Sequence, residues 1–140
     1  MKPKVLFVCW GNICRSPCAH AVLQQLRPDL TVDSAGTQAH VGEETDIRMR
    51  KVLAAHDIQF THKSRQFTKR DAEFFDFIFV SDAKRLIDAK MMVDEKHWSK
   101  FQLIDFLDER DIPDPYYEDN FAEVFDIISR CCHNIAKKVS

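Results

Sequence analysis

The residues Val5-Leu6-Phe7-Val8-Cys9-Trp10-Gly11-Asn12-Ile13-Cys14-Arg15-Ser16-Pro17 decide how the rest of the chain is read. Val5 to Val8 is an unbroken apolar run, the pattern of a strand covered on both faces in a parallel sheet. A loop with one glycine follows, and Ser16-Pro17 reads as a helix start. Serine suits the cap, and proline loses nothing at the first helical position, where its amide would be unpaired anyway. Cys9 and Arg15 bracket five loop residues. Such a loop can wrap its amide N–H groups around a tetrahedral oxyanion. The helix N-terminus adds partial positive charge, and a planar guanidinium closes the ring with a bidentate grip. A cysteine at the centre of that nest is set up as a nucleophile toward a phosphate monoester, the thiolate being its reactive form.

Working outward, strand and helix patterns alternate. A helix runs from Pro17 to about Leu26 with Ala19, Val22, Leu23 and Leu26 on its buried face, and stops before Pro28. Thr31 to Ser34 is a short strand and Ala35-Gly36-Thr37 a turn. Glu43 to about His56 reads as a helix opened by acids. Thr68 caps a short helix through Phe74; Phe77 to Val80 is a second buried strand, followed by a helix from Asp82 to Ala89. Phe101 to Ile104 is a fourth strand. Phe121, Val124, Phe125, Ile128, Cys132, Ile135 and Val139 recur at three- and four-residue steps and mark the last helix, with Cys131 and Cys132 as small core residues. Alternation of this kind predicts an α/β fold with right-handed crossovers, a parallel sheet, helices on both faces and a site beyond the strand C-termini, where Cys9 falls.

Composition narrows the function. The 140 residues suffice for one domain with a substantial core, 45% of them hydrophobic and 30% charged. A net charge of −2 gives no electrostatic footprint for nucleic acid. No apolar run is long enough to span a bilayer, so membrane insertion is not expected, and the run before Trp10 is too short for a signal sequence. Five cysteines, two of them adjacent, make no disulfide framework and point to reduced thiols in a cytoplasmic setting.

The run Val8 to Pro17 resembles the signature of the low-molecular-weight protein tyrosine phosphatases. Asp114-Pro115-Tyr116-Tyr117 resembles that family's general-acid loop. The likeness spans essentially the whole chain, residues 1–140. It implies four parallel strands in the order 2-1-3-4. It also implies hydrolysis of phosphotyrosine, as of other aryl phosphate monoesters, on protein substrates through a cysteinyl-phosphate, without cofactor or metal, and inhibition by phosphate-like oxyanions. Cys9 then takes the role of nucleophile, Arg15 binds phosphate and the transition state, and Asp114 is the general acid and base. Trp10, Gly11, Asn12, Ile13, Cys14 and Ser16 supply the phosphate-binding loop. The Ser16 hydroxyl bonds the sulfur, and Ser34 and His62 tie Asn12 in place. Cys14 is implied as partner of Cys9 in a protective disulfide under peroxide. Where relatives often carry an aromatic wall after Thr37, this chain reads Gln38-Ala39-His40-Val41. Trp10, Tyr116 and His40 are the aromatic candidates for the phenyl slot.

Three other readings stay open at this level. Cys9, Cys14, Cys18 and His20 are close enough in sequence to suggest zinc, but Cys18 and His20 fall on a helix and no second ligand pair supports them. The thioredoxin-coupled arsenate reductases use a related loop, yet need two further cysteines after the third strand, and Ser81 to Met92 has none. A non-catalytic phosphate-binding module is the third, against which Cys9, Arg15 and Asp114 together argue.

Overall fold

The computed structural model describes residues 2–140. β1 (Lys4–Cys9) lies at the centre of a sheet with β2 (Thr31–Gly36), β3 (Phe77–Val80) and β4 (Phe101–Leu103), all parallel, in the order β2-β1-β3-β4. The apolar run of β1 is unbroken because both of its faces are covered. Val5 and Phe7 join a core with α1 (Arg15–Leu26) and α5 (Phe121–Lys138). Leu6 and Val8 join a second core on the opposite face, with Phe67, Ile78, Val80 and Phe101. There α3 (Lys69–Phe74) contributes Ala72 and α4 (Ala83–Met91) contributes Ala89. The period-two alternation of a strand thus splits one hydrophobic sequence between two cores. α5 buries Phe121, Val124, Phe125, Ile128, Cys131, Cys132 and Ile135, the stripe expected from its spacing. Cys18 and Cys132 are fully buried in the core shared by α1 and α5.

Several local boundaries differ from the sequence reading by a residue or two, and three of the differences bear on the site. α1 begins at Arg15, with Cys14 in the cap position and no side chain capping it. Ser16 is therefore inside the first turn, not its cap. β2 continues through Ala35 and Gly36, because the Gly36 amide donates to Arg65 and its carbonyl accepts from Phe67, so that segment is strand and not turn. α2 spans Ile47–Ala55 and not Glu43–His56: Asp46 caps it by accepting from the Arg48 amide, while Glu44 is drawn into a bridge with Lys63. Thr68 and Asp71 form the reciprocal cap at the start of α3. Among the described residues no helix is long and apolar enough to cross a membrane.

Candidate active site

Cys9 ends β1 at the point where the chain order reverses, with β2 on one side and β3 on the other. That is the crevice in which open parallel sheets bind ligands. The loop from Cys9 to Ser16 curls over the uncapped N-terminus of α1, whose first-turn amides lack intrahelical acceptors. Two close approaches shape it. A Cβ on Gly36 would lie 2.5 Å from the Trp10 carbonyl oxygen and 3.0 Å from the Asn12 nitrogen, so the neighbouring strand must carry glycine there. A Cβ on Gly11 would lie 2.7 Å from the His40 ring. Gly11 therefore makes room for the pocket wall.

Asn12 adopts a left-handed conformation, φ 59°, which asparagine tolerates better than most residues. Its side chain is the hub of a buried network. Asn12 Oδ1 accepts from the Arg65 amide at 3.0 Å, and an amide N–H can only donate, so the orientation of the carboxamide is fixed. His62 Nε2, 2.9 Å from the same oxygen, must then carry a proton. Asn12 Nδ2 in turn donates to Ser16 Oγ at 2.8 Å. The Ser16 hydroxyl accepts there, and its own hydrogen is left to point toward Cys9 Sγ at 2.9 Å or the Ala35 carbonyl at 3.4 Å. Ser64 Oγ donates to the Asn12 carbonyl. Of the two residues expected to hold Asn12, His62 does so directly. Ser34 does so at one remove, contacting His62 Nε2 at 3.3 Å and His20 Nδ1 at 3.0 Å.

Burial sets the charge of this network. It pushes His20 down to about 4, with the neighbouring His62 adding to the effect. It lowers His62 as well, and the Arg65 guanidinium acts in the same sense. Both imidazoles are therefore neutral at pH 7. His20, Asp33 and His62 bring their ligating atoms within 4.8 Å of one another. Each already has a partner: Ser34 for His20, Asn12 for His62, and the Arg65 guanidinium for Asp33 at 3.0 Å.

Arg15 is buried, 5% exposed, and its Nη1 is occupied by Asp82 Oδ2 and the Ile112 carbonyl, each at 2.9 Å. Nη2 faces Asp114 Oδ2 at 3.8 Å across the pocket. Asp82 also caps α4 through the Arg85 amide, so one buried carboxylate sets both a helix start and the Arg15 guanidinium. Sequence reading saw Asp82 only as a helix start. The available signal was its position at the C-terminal end of β3, beside Cys9. Burial, followed by the Asp46 carboxylate, raises the Cys14 thiol far above its ordinary value, so Cys14 stays protonated beside Cys9. All five cysteines are free thiols.

These elements enclose a pocket of about 190 Å³ lined by Cys9, Trp10, Gly11, Ile13, Cys14, Arg15, His40, Asp114, Tyr116 and Tyr117. Trp10 meets the His40 ring edge-on, centroids 5.6 Å apart, and Glu43 holds His40 Nδ1 at 2.8 Å. Asp114 is half exposed at the rim. Residues from the two ends of the sequence thus converge on one opening.

The low molecular weight phosphotyrosine protein phosphatase family matches residues 4–140. The chain belongs to that family. Among its relatives, the low molecular weight protein-tyrosine-phosphatase Wzb of Salmonella typhi is 38% identical over 98% of this chain and 94% of its own length. The human low molecular weight phosphotyrosine protein phosphatase is 36% identical over 96% of this chain and 94% of its own. In structure, Vibrio vulnificus Wzb in complex with benzylphosphonate superposes with a TM-score of 0.92 at 30% identity, covering 99% of this chain and all of that one. The four-stranded order and the two-sided helical layers are those of the family's known structures.

Proposed function

We propose that the chain hydrolyses phosphotyrosine on protein substrates, and aryl phosphate monoesters in general, by way of a phosphorylated cysteine. The observation that carries this reading is the convergence of Cys9, Arg15 and Asp114 on one pocket beside the uncapped N-terminus of α1. Cys9 sulfur attacks phosphorus in line, and the bond from phosphorus to the phenolic oxygen breaks. Asp114, protonated, gives its proton to that oxygen as it leaves. Water then attacks the cysteinyl-phosphate; Asp114 takes one of its protons, inorganic phosphate departs and the thiolate is restored. Arg15 and the amides of Trp10, Gly11, Asn12, Ile13 and Cys14 hold the three equatorial oxygens, fixed dipoles that need no rearrangement as charge builds. The Ser16 hydroxyl, oriented by Asn12, steadies the sulfur anion each time it leaves phosphorus. Trp10, His40 and Tyr116 flank the phenyl ring.

A phosphonate ester mimic bound to the Vibrio relative supports an aryl phosphate as the ligand class, and on the same ground phosphate-like oxyanions should inhibit. Cys131 and Cys132 lie buried on α5, which disfavours the arsenate-reducing relay. The five free, buried cysteines support a cytoplasmic setting. The test is turnover of p-nitrophenyl phosphate and of a phosphotyrosyl peptide in the presence of a metal chelator. Full activity is expected from the native chain and none above background from Cys9→Ser. Turnover surviving that substitution would sink the mechanism, and loss of native activity on chelation would sink metal independence.

A further inference from the structure

Arg48, at the start of α2, contributes nothing to the lining of the catalytic pocket, yet it joins the two halves of the site. Its guanidinium is gripped by Asp46, from Nε to Oδ1 at 3.1 Å and from Nη2 to Oδ2 at 2.9 Å. The Asp46 amide donates to the Ile13 carbonyl at 2.8 Å, in the phosphate-binding loop. On the other side Arg48 Nη1 donates to the Tyr116 carbonyl at 3.2 Å, and the guanidinium lies 5.4 Å from the Tyr116 ring centre and 4.5 Å from that of Phe121. Asp119 Oδ1 stands 3.7 Å from Nη1. The Tyr116 amide donates to Asp114 Oδ1 at 3.1 Å. A continuous strap therefore runs from Ile13 through Asp46, Arg48 and Tyr116 to the carboxyl of Asp114.

We propose that Arg48 is a positioning residue that sets the reach of Asp114 over the phosphate-binding loop, and so the efficiency with which the proton arrives at the leaving oxygen. The proposal rests on the phosphatase reading of the pocket. Its physical basis is that the acid sits on a largely exposed loop, with Tyr116 40% and Tyr117 91% exposed, so this segment has little packing of its own to define its place. A planar fork that bonds a carboxylate at one edge and a carbonyl at the other, with rings stacked on its face, is a role lysine cannot reproduce. A displaced acid costs rate without weakening the anion nest.

The experiment uses Arg48→Met, which keeps apolar bulk against Tyr116 and Phe121, and Arg48→Lys, which keeps the charge. Both should lower kcat/KM on phosphotyrosine roughly tenfold. The loss should shrink on aryl phosphates with more acidic leaving groups, and inhibition by inorganic phosphate should shift less than about twofold. In an Asp114→Asn background, Arg48→Met should cost less than about twofold, since the group it positions is gone. A full loss in that background, or a leaving-group dependence equal to that of the native chain, would overturn the proposal. Hydrogen exchange reads the strap independently of turnover. Amides of Tyr116 to Asp119 should exchange roughly tenfold faster in Arg48→Met. Unchanged exchange would overturn it as well. Absence of native turnover with accelerated exchange would instead count against the phosphatase reading and leave the strap standing.

Discussion

Between Cys9 and Ser16 every residue is buried except Trp10 and Ile13, whereas from Arg110 to Asn120 the buried residues are Ile112 and Pro115. The two loops meet at one pocket and are built on opposite plans. The phosphate-binding loop is held by the side chains of Ser16 on α1, His62 and Ser64 and by the Arg65 amide, with each polar atom of the Asn12 carboxamide engaged. The acid loop is held at its base, where the Ile112 amide donates to the Ser81 carbonyl, and by the Arg48 strap. The difference follows from the proposed chemistry. Dipoles that stabilise a transition state act best when already aligned, because alignment during the reaction would be charged to the barrier. A general acid has to meet one oxygen and then admit water in its place, which a loop at the rim allows. Damage to the first loop should therefore appear in folding, and damage to the second in rate alone.

The largest expected effect tests the second half of that statement. Asp114→Asn should lower kcat on aryl phosphates by roughly 10²–10⁴. Because Asp114 is half exposed, the melting temperature should move by less than about 2 °C. A variant that keeps its rate would remove Asp114 from the mechanism. One that melts several degrees lower would erase the contrast between the loops.

The same contrast explains what could be read in the sequence. Cys9, Arg15 and the strand before them are legible because strand, loop and helix are contiguous and their pattern is local. The acid loop was identifiable from Asp114-Pro115-Tyr116-Tyr117 by resemblance, not by any periodicity, since several acids crowd that stretch. Of the residues that hold the site, His62 and Ser34 were reached by resemblance, and the others were not legible. Asp82 meets Arg15 across 67 positions, Arg65 meets Asn12 across 53 and Arg48 meets Tyr116 across 68, and no local signal records such contacts. Ser16 misled for a related reason. Ser-Pro is a good local cap, but a buried hydroxyl 2.9 Å from a sulfur and 2.8 Å from an amide nitrogen is committed to the loop, so the helix starts two residues earlier without a cap. Gly36 looked like a turn residue and is instead the last residue of a strand against which another backbone passes at a distance no side chain permits.

The intermediate effect tests the first half, through pH. His20 lies under the phosphate-binding loop and its value is depressed to about 4, mainly by burial. The unfolded chain, with an ordinary histidine near 6.5, binds that proton first, so its stabilising contribution is complete above about pH 6.5 and is lost as pH falls toward 4. Between pH 8 and pH 5 the cost is about 2 kcal/mol from this one group. His20→Asn keeps a polar atom near Ser34 Oγ and does not titrate, so urea unfolding of that variant should lose about 2 kcal/mol less over the same interval than the native chain. Equal pH slopes in the two proteins would show that the network beneath the loop does not depend on a neutral imidazole.

The smallest effect sharpens the boundary between the two loops. Trp10 belongs to the buried loop by sequence, but it is 39% exposed and faces the pocket beside His40. If its place is with the substrate and not with the nest, Trp10→Ala should raise KM for aryl phosphates roughly three- to tenfold, the worth of an aromatic contact, while kcat and the melting temperature hold. The inhibition constant of inorganic phosphate separates the alternatives, since phosphate fills the nest without reaching the wall. An unchanged phosphate constant with a raised KM puts Trp10 in the phenyl slot. If both constants rise together, removing the indole has loosened the amides beneath it, and the line between rigid nest and adaptable wall then falls after Trp10, not before it.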